Sequence, residues 1–402
     1  MVGVGLGAVS WAARGSALAG ATITPGHTGN VVVVVFLRGG MDGLSAVTPY
    51  ADERIYSIRP NLAVAAPGKG EGKLLDLDGF FGLHPSLAPL HPFYESKQMA
   101  VIHAVGSQDQ TRSHFEAMSA MDRGTADDGA GPASGWIARY LQSTSRDGDS
   151  PLRAVAFGTA LPDSLRGATN ATALPGLDGF KLSSDKLDHA ALTASLRRLY
   201  GTGQDAASSA GMETLKVLEA LNALDPEDRA AKNGATYPET GMGQGLKEAA
   251  TLIRANVGLE VATIDVGGWD THVAQGTTIG WLPSRLDEVG KALAAFMADL
   301  GPETRRVTTI VISEFGRRAY ENGGLGTDHG RGGSAFVLGG GVQGGKVYGK
   351  WPGLKEEDLE GPGDLRVTTD YRAVLGELVA KRLGGDPVST FGRISGAPGM
   401  II

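Results

Sequence analysis

Four glycine-rich loops hold the acidic and imidazole side chains of this 402-residue chain that are best suited to chemistry. Carboxylate and imidazole groups together suit zinc, manganese or iron, and the chain has no cysteine to supply a thiolate ligand. Several carboxylates gathered at one place need a metal ion or protons to coexist, because like charges at short range repel. The loops therefore predict a metal centre that draws on Asp42, Asp270, His272, Glu314, Asp328 and His329.

Each loop taken alone also allows a simpler interpretation, a polar turn or a salt bridge. Residues two apart in extended chain point the same way, so Asp270 and His272 can converge on one ion. In the adjacent pair of Asp328 and His329, one side chain can bind the ion while the other orients a neighbour through a hydrogen bond. Glu314 follows an apolar run and needs a cation where a buried strand meets solvent, either a metal ion or an arginine of its own loop.

A candidate nucleophile lies in the segment 107–116. Ser113 precedes Glu116 by three residues and a helical pattern follows, which is the capping-box arrangement. A hydroxyl at a helix N-terminus faces the positive end of the dipole, where an anionic substrate also binds, and a metal ion can activate it for attack. An ordinary N-cap serine is the open alternative. Arg112 is suited to hold a substrate oxyanion or is a surface charge, and His114 and Arg317 complete the catalytic candidates.

The elements that must position these loops alternate between short β-branched runs and longer segments of helical periodicity. Near-continuous apolar runs are typical of a parallel sheet buried on both faces, and they predict strands at 31–37, 99–105, 152–157, 259–265, 307–312 and 334–338. Segments with one apolar stripe predict helices at 134–141, 187–200, 212–224, 245–256, 282–300 and 370–383. The predicted fold class is α/β, a mostly parallel sheet flanked by helices on both faces. Ligands bind beyond the carboxyl ends of strands in such sheets.

Composition is typical of a soluble globular protein, with 42% hydrophobic and 20% charged residues. The net charge of −7 gives no indication of nucleic-acid binding. No segment beyond the N-terminus has the roughly 18 continuous apolar residues of a membrane span, so none is expected in the mature chain. We expect a single domain over residues 26–402, in which the less regular stretch 144–240 is a cap or insertion.

Residues 1–25 are similar to the back half of an export leader, with a small-residue cleavage site at Ala17-Leu18-Ala19. The positively charged front of such a leader is missing. The alternatives are therefore that the numbering begins at an internal methionine, or that the stretch is a flexible apolar tail. A leader and the absence of cysteine both fit a periplasmic or secreted protein.

The loop motifs also resemble those of a known family. In order along the chain they read LRGGMDG, FGLHPSLAPL, RSHFEA, GGWDTH, SEFGR and GTDHG. On these motifs the chain resembles domain of unknown function family 1501 over nearly its whole mature length. Members of that family look like relatives of sulfatases and alkaline phosphatases, and many carry twin-arginine export leaders.

The resemblance implies an alkaline phosphatase-like fold and metal-dependent hydrolysis of a phosphate, sulfate or similar ester, in a small molecule or a polymer. It also implies a divalent metal, which would be zinc, manganese or calcium, as one or two ions. A catalytically inactive metal-binding protein of the cell envelope, or an assembly protein, on the same fold is the alternative.

By resemblance, each loop takes a role. In chain order these are Asp42 as the first ligand, Ser113 as the nucleophile, Asp270 and His272 as a later ligand pair, Glu314 as the acid after a late strand, and His329 as the final imidazole. The chain departs from the phosphatase pattern in the close spacing of Asp270 and His272, and Phe315 stands where a histidine is usual. Without cysteine, a formylglycine made from cysteine is excluded.

Overall fold

The long apolar runs form one nine-stranded sheet. The computed structural model describes residues 29–402 apart from 130, 178, 180–181, 183–187, 204, 225 and 395, so the predicted export leader lies outside the described residues. In spatial order the sheet contains β11 (Val347–Tyr348), β5 (Met99–Gly106), β10 (Gly333–Gly339), β9 (Val307–Ile312), β1 (Val31–Leu37), β8 (Val261–Val266), β6 (Ala154–Phe157) and β7 (Ala171–Leu174), and β12 (Thr369–Asp370) pairs with β5. A separate small sheet joins β2 (Val47–Thr48), β4 (Gly82–Leu83) and β3 (Leu75–Asp76).

One strand runs against the others in the main sheet. β1 pairs in parallel with β8 and β9, and β6 pairs in parallel with β7 and β8. β10 is antiparallel to both of its neighbours, β5 and β9. The carboxyl ends of β1, β5, β8 and β9 therefore lie at the edge where β10 begins. The topology confirms the predicted α/β class with a mostly parallel sheet, and it brings the loop before β10 to the same edge as the loops after the other strands.

Helices cover both faces of this sheet. Odd-numbered side chains of β1 enter one apolar core with residues of α8 (Gly241–Arg254) and α9 (Trp281–Leu300). Even-numbered side chains of β1 enter a second core with residues of α5 (Trp136–Ser143) and α10 (Tyr371–Lys381). Because both faces of β1 are buried, every one of its positions is apolar, as the parallel-sheet interpretation requires.

The remaining helices are α1 (Gly43–Ala46), α2 (Arg54–Ile58), α3 (His91–Glu95), α4 (His114–Arg123), α6 (His189–Gly201), α7 (Ala206–Asn222) and α11 (Pro387–Phe391). The predicted start of α7 at 212 was too late, because Asp205 caps the helix by accepting the backbone N–H of Ser208 at 2.8 Å. Within the stretch 144–240, β6 and β7 extend the main sheet, and α6 and α7 pack against each other. In the described part of the chain, every helix is too short or too polar to cross a bilayer.

Candidate metal centre

Three histidines meet one carboxylate at the edge where β8 ends and β10 begins. His114 is the first residue of α4, whose N-cap is Ser113. Asp270 and His272 lie in the loop after β8, and His329 lies shortly before β10. The Nε2 atoms of His114, His272 and His329 are 3.4, 3.0 and 3.1 Å from the same oxygen, Oδ1 of Asp270. Candidate ligand atoms of His114, Asp270 and His329 all lie within 4.8 Å of one another.

The second ring nitrogen of each histidine, Nδ1, is hydrogen-bonded to an oxygen atom. The Nδ1 contacts are 2.7 Å from His114 to Glu314 Oε1, 2.7 Å from His329 to the carbonyl oxygen of Arg112, and 3.3 Å from His272 to Asp328 Oδ1. Carbonyl and ionised carboxylate oxygens only accept hydrogen bonds, so each Nδ1 donates its proton and each neutral ring presents a lone pair on Nε2. Metal-bound histidines in proteins are oriented in the same way.

The three Nε2 lone pairs all point at Asp270 Oδ1, which is itself a hydrogen-bond acceptor. His272 Nε2 and His329 Nε2 are 2.8 Å apart. Burial alone would raise the pKa of Asp270, but the hydrogen bond and charge of Arg317 outweigh burial and bring that pKa to about 2, so the carboxylate is ionised. Burial lowers the pKa of His329, which favours its neutral form. A cluster of lone pairs at these distances is stable only with a proton or a metal ion among them.

Glu314 and Asp328, the carboxylates that bond His114 and His272 from behind, also favour a cation at the cluster. The hydrogen bond to Glu314 raises the pKa of His114, which means that Glu314 makes this imidazole more basic. Asn322 Nδ2 donates to Asp328 Oδ1 at 3.0 Å, and this hydrogen bond lowers the pKa of Asp328. Asp328 therefore remains an ionised acceptor for His272.

The donor set fits a transition metal better than calcium. Three imidazoles and one carboxylate are the ligands that zinc prefers, and manganese and iron also accept them. Calcium takes about six to eight oxygen ligands, whereas this cluster offers mainly nitrogen. The residues that would hold the ion are His114, Asp270, His272 and His329.

Asp42, predicted as the first ligand, is instead enclosed in a buried ion pair. Its side chain is fully buried, and Oδ2 accepts hydrogen bonds from Arg59 Nη1 at 2.6 Å, Ser45 Oγ at 2.7 Å and Gln275 Nε2 at 2.7 Å. Burial would raise the pKa of Asp42, but the charge of Arg59 outweighs it and lowers the pKa. Asp42 thus has its cation in Arg59, and the prediction that places it on the shared metal ion is corrected.

Glu314 and Asp328, also predicted as ligands, lie behind the histidines. Glu314 is buried, and its Oε1 accepts the backbone N–H of Gly39 at 2.8 Å as well as bonding His114. Asp328 bonds His272 in the corresponding way. The structure brings the predicted ligands Asp270, His272 and His329 together with His114, a predicted catalytic residue.

Arg317, predicted as catalytic, is fully buried and cannot reach a substrate. Its guanidinium donates to Asp270 Oδ1 at 2.7 Å and to the carbonyl oxygens of Gly39, Gly40, Trp269 and Thr327. It therefore joins the loops after β1 and β8 to the loop before β10 and orients Asp270. The partner of Glu314 is His114, so the interpretation of Arg317 as the cation for Glu314 was wrong.

Ser113 and Arg112 lie beside the cluster. Ser113 Oγ accepts the backbone N–H of Glu116 at 3.4 Å, which is the N-cap geometry predicted for it. Arg112 is about one third exposed and pairs through Nη2 with the buried carboxylate of Asp364, whose pKa burial raises. The roles of Ser113 as nucleophile and of Arg112 as anion binder stay predictions.

Gln275 was not predicted, yet it joins both loops that carry the cluster. Its fully buried Oε1 accepts the hydroxyls of Thr271 at 2.7 Å and Thr327 at 2.9 Å, while Nε2 donates to Asp42. Thr271 lies between two cluster residues, and Thr327 immediately precedes Asp328. Gln275 therefore holds the two loops in register. A glutamine three residues after a histidine has no motif that would single it out.

The loops approach so closely that glycine is required at two points. A Cβ atom at Gly326 would lie 2.3 Å from the carbonyl oxygen of His272, and one at Gly330 would lie 2.4 Å from the carbonyl carbon of Arg317. Both contacts are with backbone atoms, which cannot move aside alone. The glycines of GTDHG thus allow His329 to approach the loop after β8.

Fold and site together define an α/β protein with a histidine-rich candidate metal centre at the carboxyl edge of its sheet. The chain belongs to the DUF1501 family, described as a protein of unknown function, which matches residues 30–380. The family predicted from the loop motifs is thereby confirmed. A comparison with curated proteins found no match.

Among solved structures, similarity extends to sulfatases and an alkaline phosphatase. A 2-O GAG sulfatase is 12% identical with a TM-score of 0.31, and the match covers 79% of this chain and 66% of the sulfatase, just under two thirds of its length. Alkaline phosphatase from the Antarctic bacterium TAB5 is 10% identical with a TM-score of 0.34, covering 80% of this chain and 95% of that one. A putative sulfatase from Bacteroides thetaiotaomicron VPI-5482 is 12% identical with a TM-score of 0.30, covering 91% and 75%.

Proposed function

We propose that this protein is a metal-dependent hydrolase of a phosphate, sulfate or similar ester. The observation that carries the proposal is the convergence of three Nε2 atoms on Asp270 Oδ1, with each imidazole held from behind by an oxygen acceptor. Such a set of oriented lone pairs is a cation site. The side chains of Asp270 and His272 are 46% and 39% exposed, so a substrate can reach the site from solvent.

His114, Asp270, His272 and His329 would hold the ion, and zinc or manganese fits these donors. When bound, a divalent ion would polarise an ester oxygen and lower the pKa of the attacking hydroxyl. The substrate would be an anionic ester, and the predicted leader would deliver the protein to the periplasm or the outside of the cell.

The residues of this chain supply the rest of the chemistry. Ser113 Oγ attacks the phosphorus or sulfur atom, the bond from that atom to the alkoxy oxygen breaks, and the alcohol leaves with the proton of the hydroxyl. The oxygen of a water molecule then bonds to the phosphorus or sulfur atom, the bond to Ser113 Oγ breaks, Oγ takes up a proton of the water, and phosphate or sulfate leaves. Arg112, which is one third exposed beside its partner Asp364, and the backbone N–H groups at the start of α4 bind the anionic oxygens, because a helix N-terminus favours negative charge.

The first experiment measures metal binding and turnover together. The purified protein is stripped with a chelator, titrated with zinc, manganese or calcium, and assayed on aryl phosphates and aryl sulfates. We expect zinc or manganese to bind and to restore hydrolysis, and His329→Ala to weaken binding at least tenfold. His91→Ala is the matched control, because His91 lies on α3 and bonds the carbonyl oxygen of Asp76. Equal metal affinity in both variants and the wild type would show that the cluster does not bind the metal.

A second experiment tests the nucleophile. Ser113→Ala should abolish hydrolysis and leave metal content intact, while Ser119→Ala on the same helix should do neither. Retained activity in Ser113→Ala would show that water or another group attacks. Metal binding without turnover on any ester would favour the alternative, an inactive metal-binding protein of the envelope or an assembly protein.

A further inference from the structure

Exposed large apolar side chains are concentrated in the segments that carry the candidate metal centre or adjoin them. Most exposed large apolar residues of the described chain lie in the loops of this site or at the first residues of α4 and α9, and their exposed fractions run from 50% to 89%: Phe115, Val273, Ile279, Trp281 and Leu325. We call these five residues the apolar rim. The few comparable residues elsewhere are scattered singly, on α6, on α11 and at the end of the chain: Leu199, Val388 and Ile402.

Backbone contacts attach the apolar rim to the metal site. Phe115 and Val273 directly follow His114 and His272 in the chain. Leu325 lies beside Val273, because the backbone N–H groups of residues 274 and 275 donate to the carbonyl oxygens of residues 324 and 325 at 2.9 Å. Trp281 Nε1 donates to the carbonyl oxygen of residue 268 at 2.7 Å, two positions before Asp270. Four of the five rim residues therefore adjoin the segments that carry the cluster.

Leu325 is exposed at a conformational cost. Its φ of +57° lies in the left-handed region, which a bulky side chain rarely adopts and which glycine adopts freely. A leucine that is strained and half exposed contributes little to the fold. Such a residue is best explained by a contact with something outside the chain.

The charges of the rim do not favour a polyanion. The arginines near the site already have acidic partners: Arg317 with Asp270, Arg318 with Asp328, Arg112 with Asp364, and Arg331 with Glu360. The chain as a whole carries a net charge of −7. A sulfated or phosphorylated polymer needs an excess of positive charge along its path, whereas this edge offers paired charges and apolar surface.

From these observations we infer that the substrate is an amphiphilic ester, with one anionic ester group for the metal site and an alkyl chain or apolar ring for the apolar rim. This inference rests on the proposed function and names its substrate class. An apolar group placed against the rim loses contact with water while its ester lies at the cluster, so chain length should govern binding. The source is either a free amphiphile or a lipid in a membrane surface.

Binding of alkylphosphonates separates this inference from the proposed function, because these compounds resemble the ester but cannot be hydrolysed. Calorimetry on the zinc-loaded protein should show affinity rising along the series from methyl to decyl by about twofold per methylene, against about fourfold for complete burial. The smaller value is expected because an open rim covers one side of the chain. Equal affinity for every chain length would overturn the inference, even if aryl esters are hydrolysed.

Two variants locate the apolar contact. Phe115→Ser and Leu325→Gly should each flatten the dependence on chain length, whereas Val388→Ser, an exposed apolar residue on α11, should not. Leu325→Gly also relieves the left-handed strain, so it should be no less stable in thermal unfolding, and a flattened series then cannot be attributed to misfolding. Wild-type dependence in both rim variants would overturn the inference.

A final measurement identifies the source of the amphiphile. Cosedimentation with phosphatidylcholine vesicles that is reduced by Phe115→Ser would indicate a lipid in a membrane surface. Absence of cosedimentation, with chain-length dependence retained in solution, would indicate a free amphiphile. A rim that covers a second copy of the chain would instead give a dimer that Phe115→Ser dissociates and no chain-length dependence, which would overturn the inference.

Discussion

Glu314 does not enter the cluster, yet replacing it should weaken metal binding. The isosteric change Glu314→Gln keeps an oxygen for the backbone N–H of Gly39 and for His114 Nδ1. It removes the negative charge and turns Oε2, which accepts Ser313 Oγ at 3.0 Å, into an amide NH2 that can donate to the same hydroxyl. A hydrogen bond to a charged partner contributes about 1.5–3 kcal/mol, and one between neutral groups about 0.5–1.5 kcal/mol. The midpoints of these two ranges differ by about 1.25 kcal/mol, which corresponds to nearly tenfold in zinc affinity. This value is at the lower end of the roughly 10- to 100-fold loss typical of such supporting residues.

The assay is zinc titration against a competing chelator at fixed pH, with urea unfolding of the metal-free protein in parallel. We expect zinc affinity to fall about tenfold while stability changes little, because the amide fits the same space. Asp299→Asn is the control, since Asp299 is a buried carboxylate at the end of α9 that pairs with Arg254. It should lose stability and keep its zinc affinity. Unchanged affinity in Glu314→Gln would refute the role given to Glu314 in supporting His114.

Three further predictions concern buried polar groups. Arg59→Met should destabilise the fold by about 3–5 kcal/mol in urea unfolding, because it leaves Asp42 buried without a cation. Adding Asp42→Asn should recover most of this loss, and no recovery would argue against the ion pair as its cause. Gln275→Leu should lower the free energy of unfolding by about 2 kcal/mol or more and weaken zinc binding, because two threonine hydroxyls lose their acceptor. A loss of stability without any change in zinc affinity would contradict the role of Gln275 in holding the loops. Burial lowers the pKa of His103 from 6.5 to about 4. As pH falls, the imidazole is therefore protonated in the unfolded chain before it is protonated in the folded protein, and the wild type should lose about 3 kcal/mol of stability between pH 6.5 and pH 4. His103→Gln should lose less over that interval, and an identical pH dependence in urea unfolding would exclude His103 as the source.

Local patterns predicted most of the fold. β1 and β9 were predicted to the residue, because apolar runs that are buried on both faces stand out from their flanks. The antiparallel direction of β10 was not predictable, since a short apolar run is the same in either direction. The short helices α1–α3 and the small sheet of β2, β3 and β4 were also missed, because segments of two to five residues show no measurable periodicity.

For the site, the loops that carry Asp270, His272 and His329 were recognisable because acidic and imidazole residues between glycines are rarely core features. The role of each side chain in these loops was not recognisable from the sequence. Asp42 and Arg317 were predicted to act on metal or substrate, and both turned out to be enclosed among partners that are distant in sequence. His114 was expected to act in catalysis, and its Nε2 lies 3.4 Å from Asp270 Oδ1, among the candidate ligand atoms.

The sequence by itself determined the fold class, the family and which loops carry acidic and imidazole groups, because these depend on residue type and local spacing. Only the tertiary structure decided which of those groups lie together, since a carboxylate becomes a candidate ligand, a support or half of an ion pair according to what lies within about 3 Å of it. Those neighbours, such as Arg59 for Asp42 and Glu314 for His114, come from segments that the sheet brings together.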